Sequence, residues 1–369
     1  MRKRGLIRTI LFVIIVGIVG FLYYKNFQTE KEGLIVKKWE NFYNENNIKL
    51  YYQDIGESKN EEIKKLIKTF KIDEIVSKEK TEIDKVNKTV QILNTIVDYD
   101  NVADLNLSSG YKILEKIGDR KKVSFKDMAI IERDLIVSAG FNARVGEFRK
   151  KNCQFESNPS YYVVEYYSLE QKKWIMIDFK NSVYIKDDKE CFSSVELIDK
   201  GINENLIVGN VEAKEYVKEM NKYLYSYTID IDNTINKKKS NTVITYLKDE
   251  NQAELKKSTG YIEPTIYTES ADMFLREPGG EVKNKDSKAY LLFMKDVSEE
   301  NRDKQNFVVA AFRDSSVIKE YYLKINNADF IKVDNIFYNI EIKGGENKIE
   351  LSLDGKDIIS TVVINNTIK

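Results

Sequence analysis

The sequence predicts an α+β protein that begins with a transmembrane helix and ends in an antiparallel β-sandwich. Three observations carry this expectation. An apolar run, TILFVIIVGIVGFLYY, occupies Thr9 to Tyr24. In the middle of the chain a segment of helical period, SFKDMAIIERDLIVSAGF, precedes the strand-like FNARVGEF and YYVVEYYSLEQKKWIMIDF. From about Thr242 the apolar residues alternate with period two between glycine-containing turns.

Composition sets the bounds. A chain of 369 residues has room for two or three domains, and 42% hydrophobic residues with only 3 Pro mark it as folded. Lys plus Arg equals Asp plus Glu at 59 each, so no global field gathers nucleic acid or steers an acidic ligand.

Taken in order, the apolar run of roughly 16 residues is near the lower limit for a membrane helix, and Arg8 lengthens it by snorkelling. Arg2, Lys3, Arg4 and Arg8 precede it, which predicts a cytoplasmic N-terminus, a membrane partner and an extracytoplasmic body. The bulky FLYYKNFQ that follows offers no small-x-small cleavage site, so an anchor is favoured over a cleaved signal peptide. In EEIKKLIKTFKIDEIV the residues Ile63, Leu66, Ile67 and Phe70 form one stripe, and Ile83, Val86, Val90, Ile92, Leu93 and Ile96 form another, predicting two amphipathic helices. The next helix presents Phe125, Met128, Ala129, Glu132, Leu135, Ile136 and Ala139 on one face and stops at Gly140. Antiparallel strands follow, with short helices at VELIDKG and VEAKEYVKEMNKYL. Beyond the NKKKS linker at Asn236 to Ser240, the Gly344–Gly345 and Asp354–Gly355 pairs predict hairpin turns. A second linker is expected between Glu277 and Lys288.

The middle segment resembles the transglutaminase-like domain of the papain-like superfamily. The likeness rests on DMA at Asp127 to Ala129, AGFNAR at Ala139 to Arg144, Glu165 four residues after Tyr161, and WIMID at Trp174 to Asp178. It covers roughly residues 80–182. The resemblance implies a papain-like core with a cysteine, a histidine and an aspartate at positions that this chain fills with Phe125, Tyr161 and Asp178. With the apolar run, the helical stripes and the C-terminal alternation, it gives the division 1–27 basic tail and anchor, 28–79 helical lead-in, 80–235 degenerate transglutaminase-like domain and 241–369 β-sandwich.

Such chemistry needs an imidazole to hold a thiol as thiolate and to protonate the leaving group. Phenylalanine has no nucleophile, tyrosine is a poor base at neutral pH, and the chain contains no histidine. The expectation is a pseudoenzyme that binds or scaffolds a polypeptide or cell-wall component at the cell envelope. Two alternatives stand beside it. Ser124, with Lys122 or Lys126 as base, would make an amide-bond enzyme, and a purely structural spacer needs no site. No cofactor is expected. The absence of histidine and the wide separation of Cys153 and Cys191 argue against a metal, and those cysteines are either disulfide-bonded or two buried thiols. DIDN at Asp230 to Asn233 would hold Ca²⁺ only with ligands from elsewhere, and reads more simply as a strand end. Glu165 with Asp178 could be a glycosidase pair, but the resemblance accounts for both without sugar chemistry.

Overall fold

The computed structural model describes residues 33–56, 60–248, 251–255, 263–282, 284–295 and 306–367. Its class is mixed α/β with many strands. This corrects the expected α+β arrangement of a papain-like core followed by a separate antiparallel sandwich. Strands beyond Thr242 extend the central sheet, one of them in parallel, and a strand ahead of the first described helix completes a sheet made of C-terminal residues. The transmembrane helix and the extracytoplasmic placement are corrected as well. Among the described residues no helix is long and apolar enough to cross a membrane, and Thr9 to Tyr24 lies outside the described residues.

The amphipathic stripes form α1 (Glu61–Phe70) and α3 (Glu82–Ile96), joined by the short α2 (Ile72–Val76). After α4 (Gly110–Ile117) comes α5 (Phe125–Ser138), the helix around which the others pack. Its Ile131, Leu135 and Ile136 share one core with Leu66 of α1, Val90 and Leu93 of α3, and Val164 and Ile177 of the sheet. Every residue from Asp127 to Ser138 is buried, so the charged residues of α5 must find partners inside the protein. Asp134 accepts from Arg133 Nε at 2.8 Å and from Gly110 N at 2.7 Å, and Glu132 accepts from Thr89 Oγ1 at 2.7 Å. Gly110 permits the close approach of α4, because a Cβ there would lie 2.8 Å from Ile131 Cα. Gly140, at φ +93°, takes the left-handed position that ends α5.

The central eight-stranded sheet runs β13 (Thr265–Thr268), β12 (Val243–Leu247), β10 (Ser226–Asp230), β5 (Ala143–Arg149), β6 (Ser160–Ser168), β7 (Lys173–Asp178), β8 (Val183–Ile185), β9 (Ile207–Val208). All neighbours are antiparallel except β12 and β13. The expected hairpin is β6–β7, with Val164 opposite Ile177 and Glu165 opposite Met176. Alternation turns Val164, Tyr166, Ile175 and Ile177 toward the helices, and Val163 and Met176 toward a second core with α6 (Ser194–Lys200) and α7 (Ala213–Met220). Two parallel pairs of short strands, β2 (Tyr51–Tyr52) with β11 (Asp232–Asn233) and β3 (Asp98–Tyr99) with β4 (Lys122–Val123), tie the flanking segments down.

A third core lies between two further sheets. One runs β1 (Leu34–Trp39), β21 (Ile358–Asn366), β20 (Gly345–Ser352), β17 (Tyr321–Ile325), β18 (Ile331–Val333); the other joins β14 (Tyr290–Lys295), β15 (Asn306–Arg313), β16 (Ser316–Val317) and β19 (Phe337–Glu341). The stretch expected as a helical lead-in thus opens with a strand, and Leu34 pairs with Asn366 at the other end of the chain. The Asp354–Gly355 turn does make a hairpin, β20–β21. The Gly344–Gly345 turn does not: β19 pairs with β15 while β20 pairs with β17 and β21, so this turn carries the chain from one sheet to the other.

Two sheet edges are closed by side chains. Gln154 Oε1 accepts from Leu34 N at 3.1 Å and its Nε2 donates to Leu34 O at 2.9 Å, on the open side of β1. Asn41 does the same for Leu291 of β14, with both distances 2.8 Å. A carboxamide offers the donor and acceptor of a peptide group, so each fills one rung of a missing strand.

Candidate functional site

Three chain segments converge at one end of the central sheet: the first turn of α5, the start of β6 and the end of β7. They bring together the three positions singled out in the sequence. The rings of Phe125 and Tyr161 meet edge to face, with centroids 5.0 Å apart and planes at 88°. Tyr161 donates its hydroxyl to Asp178 Oδ2 at 2.7 Å. Phe125 also touches the rings of Tyr99, Tyr162 and Phe179 at 5.5 to 5.8 Å, so it is the centre of an aromatic cluster.

Sequence reasoning missed two contributors. Asn181 donates through Nδ2 to Tyr161 Oη at 2.7 Å and to Asp178 Oδ2 at 2.9 Å, while its backbone N–H reaches Asp178 Oδ1 at 3.2 Å. The Asp-Phe-Lys-Asn spacing of an Asx-type turn was the available signal. Tyr223, just beyond α7, packs against Tyr161 with ring centroids 5.3 Å apart and planes tilted by 53°, and had no local signature.

Electrostatics fix the protonation of this cluster. Burial, and then the neighbouring Asp178, raise the Tyr161 phenol far above its ordinary range, so it stays protonated and serves as a donor. Ser124 is 4% exposed, and its Oγ accepts from Asp127 N at 3.1 Å as the cap of α5. Lys126 points away to Glu263, 3.5 Å distant. Burial works to lower the Lys126 value, but the carboxylates of Glu263, Glu147, Asp230 and Asp104 outweigh it, and the amine is held protonated. Ser124 Oγ is thus engaged as a cap, and Lys126, one of the two lysines considered as its base, is turned to Glu263.

Glu165 belongs to a different assembly. It is fully buried, accepting from Arg144 Nε at 2.8 Å, Tyr227 Oη at 2.7 Å and Ser194 N at 2.8 Å. Arg144 stacks on Trp174 with its guanidinium carbon 4.0 Å from the ring centroid, and Nη2 donates to Phe274 O at 2.6 Å. With every oxygen engaged inside the protein, Glu165 is a structural anchor and no partner to Asp178.

The remaining candidates are also structural. No disulfide joins Cys153 and Cys191, and both thiols are buried. Asp232 of the DIDN motif accepts from Thr234 N at 3.0 Å and Lys239 N at 2.7 Å, which folds the NKKKS segment around it.

A cleft of about 280 Å³ opens in front of Phe125 and Tyr161. Tyr99 and Val102 form its rim, 40% and 45% exposed, and the Lys180 ammonium lies 4.7 Å from the Tyr99 ring centroid. The cleft shares Asp104, Lys126 and Tyr162 with a second cavity of about 340 Å³. Neither a protein-family model nor a curated protein matches the chain.

Proposed function

We propose that this chain is a non-catalytic transglutaminase-like protein that binds an extended polypeptide in the cleft at Phe125 and Tyr161. The observation that carries this reading is the aromatic pair at the two positions where a thiol and an imidazole would stand, with Asp178 turned to the service of Tyr161 and Asn181. Packing there supplies stability where a dyad would need exposed polar groups. The rim supports a polypeptide occupant. Tyr99 and Val102 offer apolar contact for side chains, and the polar walls at Asp100, Asn101 and Ser160 suit backbone amides.

The test uses the full chain, a panel of labelled, unstructured short peptides and fluorescence anisotropy. Binding should be lost in Val102→Asp and weakened in Tyr99→Ser, both on exposed positions that leave the fold intact. Binding by no peptide in the panel, or binding indifferent to the rim variants, contradicts the polypeptide reading. Amide-bond turnover abolished by Ser124→Ala contradicts the non-catalytic one.

A further inference from the structure

The cleft in front of Phe125 already holds a cation, and it is the chain's own. The Lys180 ammonium lies 4.7 Å from the Tyr99 ring centroid and 5.2 Å from that of Phe125, and these two centroids are 5.8 Å apart. Two rings inclined at 65° thus share one positive charge, each through the negative face of its quadrupole. Lys150 lies in the same way 4.9 Å from the centroid of Tyr223, another ring of the lining, but it is also tied to Glu156 at 3.8 Å.

Lys180 has no such tie. The turn that carries it is fixed, because Asn181 donates to Tyr161 and Asp178, yet the side chain is exposed and forms no ion pair among the described residues. A cation on exposed rings is a weak contact, so the seat can be given up without disturbing the fold. The charges around it favour a further cation. Asp100 and Asp104 line the cleft, both exposed and neither in an ion pair among the described residues. Lys126, the other lysine of the lining, is turned to Glu263 at 3.5 Å. Two carboxylates then stand against Lys180, a local excess of negative charge.

We propose that the cleft selects a cationic side chain: a lysine or arginine of the bound polypeptide takes the seat between Tyr99 and Phe125 and displaces Lys180 from it. This rests on the polypeptide reading above and adds the residue type that the cleft prefers. An ammonium or guanidinium suits the two rings by its charge and the carboxylates of Asp100 and Asp104 by charge-assisted hydrogen bonds. An acidic peptide meets those carboxylates as like charges and is rejected.

Fluorescently tagged, end-blocked pentapeptides Gly-Ala-X-Ala-Gly, with X lysine, arginine, norleucine or glutamate, test this on the full chain by anisotropy. The lysine and arginine peptides should bind about five- to tenfold more tightly than norleucine, which keeps the stem and lacks the charge, and glutamate should bind least. Lys180→Ala should strengthen the lysine peptide roughly three- to fivefold and leave norleucine nearly unchanged, an effect that a merely structural lysine would not have. Asp100→Asn combined with Asp104→Asn should remove most of the preference for lysine over norleucine. Norleucine or glutamate binding as tightly as lysine, or a lysine peptide unchanged or weakened by Lys180→Ala, overturns the cationic assignment and leaves the polypeptide reading standing. Failure of these four while another short peptide binds does the same; failure of every peptide removes the polypeptide reading and this assignment with it.

Discussion

Removing the Glu165 carboxylate should be among the most damaging single changes this fold can suffer. Glu165→Ala leaves the Arg144 guanidinium, itself fully buried, without its counter-charge, and breaking one side of a buried ion pair costs about 3 to 5 kcal/mol. Tyr227 Oη and Ser194 N lose their acceptor in the same step, each a buried donor worth about 1 to 3 kcal/mol. These losses overlap, because Arg144 keeps Phe274 O and its stacking on Trp174, so a total of about 4 kcal/mol is expected. Urea unfolding followed by tryptophan fluorescence is the assay, since Trp174 lies against Arg144 and reports locally. The double change Glu165→Leu with Arg144→Leu should recover a large part of the loss, because an apolar pair carries no stranded charge. A cost for Glu165→Ala below about 1 kcal/mol, or a double variant no better than the single, would refute the account of this network.

Phe125→Ala should cost about 2 kcal/mol in the same assay, less than a sealed core site, because Phe125 is only half-buried and its place opens onto the cleft. Gly146→Ala should destabilise by about 3 kcal/mol or prevent folding, because a Cβ would overlap the Tyr227 ring, and Tyr227→Leu should relieve part of that cost. Glu132 is fully buried, and burial raises its carboxyl well above the usual range against a smaller opposing effect of Thr89. The stability this group contributes is therefore complete below its unfolded value and is lost as pH rises toward the folded one, at up to about 1.4 kcal/mol per pH unit. Glu132→Gln should flatten that slope in denaturation measured from pH 4 to pH 8; an unchanged slope would show that Glu132 is not its source.

Helices α1, α3, α5, α6 and α7 and the β6–β7 hairpin were legible because their signal is local, whereas the short α2 and α4 were not read. The stripe of Ile63, Leu66 and Phe70 and the alternation around Val163 and Val164 are each written within a few residues. The meeting of Phe125, Tyr161 and Asp178 was expected from the resemblance alone, carried onto these positions motif by motif, since no pattern local to α5, β6 or β7 encodes it. The sheet memberships were not legible. LIVKKW at Leu34 pairs with the last strand, more than three hundred residues away, and no local pattern encodes that partner. The glycines at Gly344 and Gly345 announce a turn but do not say whether it joins neighbours or changes sheets. Glu132 was placed on the apolar face of α5 and is met there by Thr89 of α3, whereas the burial of Arg133 and Asp134 was not legible, because their partners Ser108 and Gly110 come from the separate segment that opens α4.

The carboxamides of Gln154 and Asn41 give this protein a chemical clock. Each holds its strand edge only while it carries both an N–H₂ and a C=O, matched to the C=O and N–H of Leu34 and Leu291. Hydrolytic deamidation of either replaces the donor by a second acceptor, which then faces a backbone carbonyl and repels it. The rung opens, and the backbone N–H and C=O of Leu34 or Leu291 become available to the edge of another copy. Aged preparations should therefore gain aggregates in step with a mass increase of one amide-to-acid conversion at Asn41 or Gln154, well before any loss of the folded core.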